Sequence, residues 1–219
     1  MPRFTDEEKK MLKGSADFFA LNHYTSRYGR APDTAECLGG GRGGGGGGGA
    51  NVSGGAGWDE DQCCLALTAG PDGTPIGLRP EGSDWLYAVP WGMQKLLGWV
   101  GQRYPGTPIW VTENGAVDPI PKGKKDPAPT GRTAAARTAS MQNDSFRVAY
   151  HRDYLHAVKR AMVEDGVDVR GYFVWSLLDN VEWGDGLRDR FGLFEVARPS
   201  LARVAKASVA WLTQFIREW

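Results

Sequence analysis

Three short apolar runs, each ending in polar or aromatic residues and separated by segments of helical periodicity, constrain this chain more than any other feature. They are Phe18-Phe19-Ala20-Leu21-Asn22-His23-Tyr24, Pro108-Ile109-Trp110-Val111-Thr112, and Val169-Arg170-Gly171-Tyr172-Phe173-Val174-Trp175-Ser176. Near-continuous apolar character marks strands covered on both faces, as in parallel sheets. After the first run, Pro90 leads into a helix whose Met93, Leu96, Leu97, Val100 and Tyr104 recur at helical spacing, and Tyr104-Pro105-Gly106 ends it. After the second, Asp144 or Ser145 caps a long helix with Val148, His151, Leu155, Val158 and Met162 along one face, closed by Gly166. A last helix, from about Leu201 to Trp219, buries Val204, Trp211, Leu212, Phe215 and Ile216. A short helix capped by Thr5, with Glu8 completing a capping box, precedes the first strand and runs through Lys13. This order predicts an α/β chain with a parallel sheet, either doubly wound or part of a barrel.

In such architectures chemistry gathers at the C-terminal ends of strands. The first end offers Asn22 and Tyr24, the second Glu113 and Asn114, the third Trp175, Ser176, Asp179, Glu182 and Trp183. A carboxylate among an amide, a phenol and indoles suits carbohydrate cleavage: the carboxylate attacks or stabilises an oxocarbenium-like centre, indoles stack on the pyranose, and polar groups read its hydroxyls. Each residue also has an ordinary reading. A Glu before Asn-Gly is commonly a turn residue, and tryptophans are commonly core.

Read together in order, these segments resemble glycoside hydrolase family 1. The motifs are Asp17 to Ser26, Trp85 to Gly92, Thr112-Glu113-Asn114-Gly115, Arg170 to Trp183, and Arg190-Phe191-Gly192-Leu193. The resemblance implies that Glu113 is the catalytic nucleophile of a retaining β-glucosidase-type O-glycosyl hydrolase and that Tyr24 hydrogen-bonds it. It implies that Trp175 lies under the glycone with a cis Trp175–Ser176 bond, that Glu182 and Trp183 grip the distal hydroxyls, and that Phe191 closes that end. Asn22 is similar to a pocket-lining residue. An acidic Glu182 would repel a phosphate, so the implied substrate is a β-glucoside or related unphosphorylated small glycoside.

The same resemblance implies a partial (β/α)8 TIM barrel in which residues 1–219 are the C-terminal portion, with roughly strands 6 to 8 and their helices. The family's Asn-Glu-Pro motif, bearing the general acid–base, does not occur in this sequence. The isolated chain is therefore expected to have little or no activity, and a separately encoded N-terminal half would be its partner. The alternative is a catalytically inactive fragment or pseudoenzyme that keeps part of a sugar pocket.

Other classes find little support. Lys plus Arg equals Asp plus Glu at 26 each, so no net field attracts nucleic acid or an anionic membrane. Arg42 is alone among the glycines from Gly39 to Gly49, too little charge for RNA binding. There is no Gly-x-Ser-x-Gly for a serine hydrolase, and His23, His151 and His156 read as structural, with His23 turned away from Asn22 and Tyr24. Cys37, Cys63 and Cys64 make neither a metal motif nor a disulfide framework, and no cofactor or metal is expected. No stretch approaches a membrane span, and the first ten residues lack an apolar signal core. A chain complete as given would be cytoplasmic; otherwise the compartment is open. From Tyr28 to Gly82 periodicity is lost, with a Gly-rich disordered insert at about 38–57, and a polar loop covers about 119–143.

Overall fold

The computed structural model describes residues 3–31, 64–80, 83–117, 144–197 and 200–218. The expected Gly-rich insert and the polar loop lie outside these. The elements are α1 (Asp6–Leu12), β1 (Phe19–Asn22), β2 (Tyr28–Arg30), β3 (Leu65–Leu67), α2 (Pro90–Arg103), β4 (Ile109–Asn114), α3 (Ser145–Glu164), β5 (Val169–Val174), β6 (Phe194–Ala197), β7 (Ala202–Ala205) and α4 (Ala207–Glu218), with a 3-10 turn at Trp183–Asp185.

The three apolar runs form one sheet in the order β1-β4-β5, with both pairings parallel. Ile109, Val111 and Val169 point from it towards α2 and α3 and form the core with Met93, Leu97, Val100, Tyr150, Tyr154, Ala157 and Ala161. The opposite face is uncovered: Phe18 is 50% and Phe173 53% exposed, on either side of Trp110. β1 and β5 each pair on one side only among the described residues.

α1 has the expected capping box: Thr5 Oγ1 accepts from the Glu8 amide, and Glu8 Oε2 accepts from the Thr5 amide. Pro90 occupies the first turn of α2, where its missing N–H would have no intrahelical partner.

Three expectations are corrected. The span from Tyr28 to Gly82 is not wholly irregular, because Tyr28–Arg30 pairs antiparallel with Leu65–Leu67; three-residue strands are too short to show a period. The last helix starts at Ala207 rather than about Leu201, because Ala202–Ala205 pairs with Phe194–Ala197 as a hairpin. Ser208 is its only buried residue among those described; Val204, Trp211, Leu212 and Phe215 are half-buried and Ile216 is exposed. On α3 the face that packs against the core carries Tyr150, Tyr154, Ala157 and Ala161 together with the expected His151 and Val158, whereas Met162 is exposed. The expected face exists beside it: Leu155, Val158 and Met162, with Leu212, Phe215 and Ile216 of α4 and Phe173 of β5, line an apolar groove of about 510 Å³ along the unpaired side of β5.

No helix among the described residues is long and apolar enough to cross a membrane, and these residues hold no His/Cys/Asp/Glu cluster able to bind a metal. Cys64 is a free, exposed thiol.

Candidate active site

Strict alternation along β4 would place Glu113 on the buried face with Ile109 and Val111. A bulge prevents this. In the pairing with β1, Leu21 faces Val111 and Asn22 faces Glu113; in the pairing with β5, Val111 faces Tyr172 and Asn114 faces Val174. The extra residue turns Glu113 into a cavity at the strand end and gives the buried position to Asn114.

The cavity, about 380 Å³, is lined by Tyr24, Trp85, Glu113, Trp175, Asn180, Val181, Glu182, Trp183 and Phe191. The structure thus brings together six of the seven residues expected from the sequence. The seventh, Asn22, is exposed and outside this lining, where its Oδ1 accepts from Thr112 Oγ1 at 2.6 Å. Trp85, Asn180 and Val181 were missed as site residues. Trp85 stands in one of the quoted motifs and Asn180 and Val181 lie between Asp179 and Glu182, so motif membership was the available signal.

The Tyr24 hydroxyl donates to Glu113 Oε2 at 2.7 Å. Burial, then the bond to Glu113 and the charges of Glu113 and Glu182, raise its ionisation far above the usual phenol range, so it stays a donor at all ordinary pH. The ring is fixed edge-on by Trp85 and Phe191, each 5.9 Å away, and these two stack on one another at 6.3 Å. Trp175 Nε1 donates to Glu182 Oε1 at 3.2 Å, and the Trp175–Ser176 bond is cis. Burial raises the ionisation of Glu182 above the ordinary range, Trp175 opposes this, and Asp189 adds to it. Trp183 has its backbone at φ 45 and is 95% exposed, so its indole meets the cavity only at the rim.

The surrounding backbone is tied down. A Cβ at Gly115 would overlap the Trp175 carbonyl, so only glycine lets these two segments meet. The Trp175 amide donates to the Asn114 carbonyl at 2.8 Å. The Leu193 amide donates to the Ser176 carbonyl at 2.8 Å, the Ser176 amide donates to the Phe191 carbonyl at 3.2 Å, and Asp179 accepts from the Gly192 amide and from Lys206 Nζ, both at 2.9 Å, which holds Phe191 against the cavity. His23 is buried beside Tyr154, its Nε2 3.1 Å from Ser26 Oγ, and does not line the cavity. Chemically, the cavity offers one carboxylate steadied by a neutral phenol, aromatic walls for an apolar ring face, and a second carboxyl held by an indole.

The model of the family described as Glycosyl hydrolase family 1 matches residues 1–219. Beta-glucosidase 42 of Arabidopsis thaliana is 38% identical over 219 residues, which cover 99% of this chain and 38% of that protein. A GH1 beta-glucosidase of the fungus Humicola insolens, solved in complex with glucose, superposes with a TM-score of 0.75 at 31% identity over 99% of this chain and 39% of the other. A mutant rice beta-glucosidase in a covalent complex with glucose superposes at 0.75 and 36% identity over 96% of this chain and 38% of the other. The chain therefore spans about two fifths of the relatives it matches.

Proposed function

The chain belongs to glycosyl hydrolase family 1, and from that premise we propose that it carries the nucleophile side of a retaining β-glucosidase site. The observation that carries this reading is the Tyr24 hydroxyl on Glu113 Oε2, 2.7 Å apart, inside an aromatic-walled cavity. Glu113 attacks the anomeric carbon, the bond to the aglycone oxygen breaks, and a glycosyl ester forms; water then cleaves that ester and returns the carboxylate. Trp175 lies beneath the glycone, Glu182 and Trp183 take its distal hydroxyls, Phe191 closes that end, and Asn22 approaches from β1. The glucose complexes of the fungal and rice relatives support a β-glucoside as substrate.

On the same reading β1, β4 and β5 are strands 6 to 8 of a (β/α)8 barrel. The one-sided pairing of β1 and β5, the uncovered inner face and the apolar groove beside β5 support it. The general acid–base carboxyl then comes from strands this chain does not contain, such as a separately encoded N-terminal half. General acid help is worth roughly 10² to 10⁴-fold, so the chain alone is expected to turn over ordinary glycosides very little. The second reading, an inactive fragment that keeps part of a sugar pocket, draws on the outward position of Trp183.

A dinitrophenyl 2-deoxy-2-fluoro-β-glucoside separates the two readings. Its leaving group departs without a proton, so the first step needs Glu113 alone, and the fluorine slows the second. One glycosyl adduct on Glu113, absent in Glu113→Gln, is the expected result by intact mass and peptide mapping. A folded chain that binds glucose but forms no adduct is the inactive fragment.

A further inference from the structure

Behind Glu113, away from the cavity, lies a buried hydrogen-bond circuit whose proton directions are fully determined. Asn114 Nδ2 is 2.7 Å from the His23 carbonyl, which can only accept, so the amide orientation is fixed. Its second proton goes to Tyr150 Oη at 3.0 Å. Tyr150 spends its own proton on the Tyr24 carbonyl at 2.6 Å, and Tyr154 reaches the same carbonyl at 3.1 Å while accepting from the Val89 amide at 3.0 Å. On the other side, Tyr172 donates to Asn114 Oδ1. Having given its proton there, Tyr172 must accept from His151 Nδ1, 2.8 Å away. His151 is therefore the Nδ1–H tautomer, and its Nε2 carries a lone pair that meets no partner among the described residues. Burial, and then Arg147, push His151 down to about 3, so the ring stays neutral.

We propose that the circuit His151–Tyr172–Asn114–Tyr150 positions the nucleophile by fixing the Tyr24 backbone, so that the Tyr24 phenol is held on Glu113. The proposal rests on the reading of Glu113 as nucleophile. Its logic is geometric. The residue next to Glu113 in sequence, Asn114, bonds the backbone of the segment that carries Tyr24, and two phenols from α3 converge on the Tyr24 carbonyl itself. Four positioning side chains from α3, β4 and β5 thus lock the registration of β1 and β4 at the point where one supplies the donor and the other the acceptor. A fold-stabilising role alone would need neither two donors on one carbonyl nor an unbroken run of hydrogen bonds leading to it.

The test uses the full chain with 13Cζ-labelled tyrosine. Tyr24→Phe identifies the Tyr24 resonance, and Glu113→Ala marks its position without the carboxylate acceptor. In Tyr150→Phe and in Tyr172→Phe the Tyr24 resonance is expected to move towards the Glu113→Ala position while Tyr28, Tyr87 and Tyr104, outside the circuit, hold theirs. Should Tyr150→Phe unfold the chain, Tyr154→Phe, whose hydroxyl meets the same carbonyl, is read in the same way. A Tyr24 resonance that stays in place in the folded variants overturns the proposal. Kinetically, Tyr150→Phe is expected to lower the rate at which the Glu113 adduct reactivates by about fivefold, the equivalent of one ordinary hydrogen bond, with the half-saturation of adduct formation unchanged. A change in half-saturation alone also overturns it. If the wild-type chain forms no adduct, the nucleophile reading fails, and the Tyr24 resonance still decides the positioning role.

Discussion

Arg147 and Asp144 form an ion pair in which both side chains are wholly buried, three residues apart at the start of α3. Asp144 does not cap its own helix; its second oxygen accepts from the Ser208 amide at 3.1 Å and so ties α3 to α4. Arg147 spreads its remaining N–H groups to the Ala116 carbonyl at 3.0 Å and the Arg190 carbonyl at 2.7 Å, the segments that follow Glu113 and precede Phe191. Removing one partner of a buried pair leaves an uncompensated charge. Arg147→Met is therefore expected to cost about 3–5 kcal/mol, measured as a shift of the urea midpoint. Arg147→Lys should recover little of it, since one ammonium cannot span the same three acceptors.

Acid should loosen the fold before the ordinary, unshifted carboxylates begin to titrate. Burial pushes His23 from 6.5 down to about 4, and His151 from 6.5 down to about 3. Between 6.5 and those values the unfolded chain binds protons that the native chain refuses, so stability is full above the unfolded value and is lost as pH falls. At roughly 1.4 kcal/mol per unit, the His23 contribution alone amounts to about 3 kcal/mol by the bottom of its window. Urea midpoints taken from pH 7 down to pH 5 check this, and His23→Gln should flatten part of the slope. A midpoint constant over that range would contradict it.

Much of this was legible in the sequence because strand ends are where parallel α/β chains put their chemistry. The runs ending at Tyr24, Glu113 and Trp175 led to residues that do share a cavity. The bulge was not legible: periodicity alone sends Glu113 into the core, and only pairing on both sides of β4 reveals the extra residue. The face of α3 was read only in part, His151 and Val158 being buried as expected, because the rest of its core side is largely tyrosine, which reads as half-polar although the hydroxyls are bonded inside. Val158 does reach the core, but Leu155 and Met162, correctly apolar, face the open groove, and helical spacing gives no sign of which of two apolar faces has a partner. Val204 fits the period of α4 and yet belongs to β7, since a four-residue strand leaves too short a signature to compete with a helical window.

Two glycines near the site should respond oppositely to the same change. Gly115→Ala puts a methyl group onto the Trp175 carbonyl, a backbone atom that cannot retreat without disturbing the Trp175 amide bond to Asn114. The expected cost is about 1–3 kcal/mol, as for other overpacked positions, together with loss of the Tyr24–Glu113 registration. Gly184→Ala meets nothing within 4 Å and needs no unusual backbone, so its effect should stay within about 0.5 kcal/mol. Chemical denaturation of the two variants side by side measures the contrast.

Glu182 should be a residue held at the expense of stability. Burial, helped by Asp189, favours its protonated form in the native state, so the native chain binds a proton more tightly there than the unfolded chain, whose value is near 4.5. Stability is thus lost as pH rises from 4.5 through the raised native value. Glu182→Gln keeps the shape and an oxygen for Trp175 Nε1 but carries no charge. It is expected to be more stable than the wild type at pH 7 and no more stable at pH 4, a comparison in which the histidine contributions cancel. If the carboxylate grips sugar hydroxyls, the same variant should bind glucose more weakly at pH 7, measured by calorimetry. Equal stability at both pH values would show that burial imposes no penalty on this carboxylate.

Tyr24→Phe should slow release of the sugar more than its capture. The phenol donates to a carboxylate, a bond worth about 1.5–3 kcal/mol, and the ring itself remains packed edge-on against Trp85 and Phe191 when the hydroxyl is removed. When Glu113 attacks, its negative charge falls, so the donor steadies the starting state more than the transition state and part of its positioning benefit is cancelled. When the glycosyl ester is cleaved, the charge returns to the departing carboxylate and the donor acts in full on the transition state. For the fluorinated adduct, the variant should therefore show a modest change in the rate of formation and a rate of reactivation lower by about 10- to 100-fold. Following the adduct by intact mass after removal of excess reagent gives both rates. A variant whose adduct forms much more slowly but reactivates as fast as the wild type would assign the hydroxyl to capture instead.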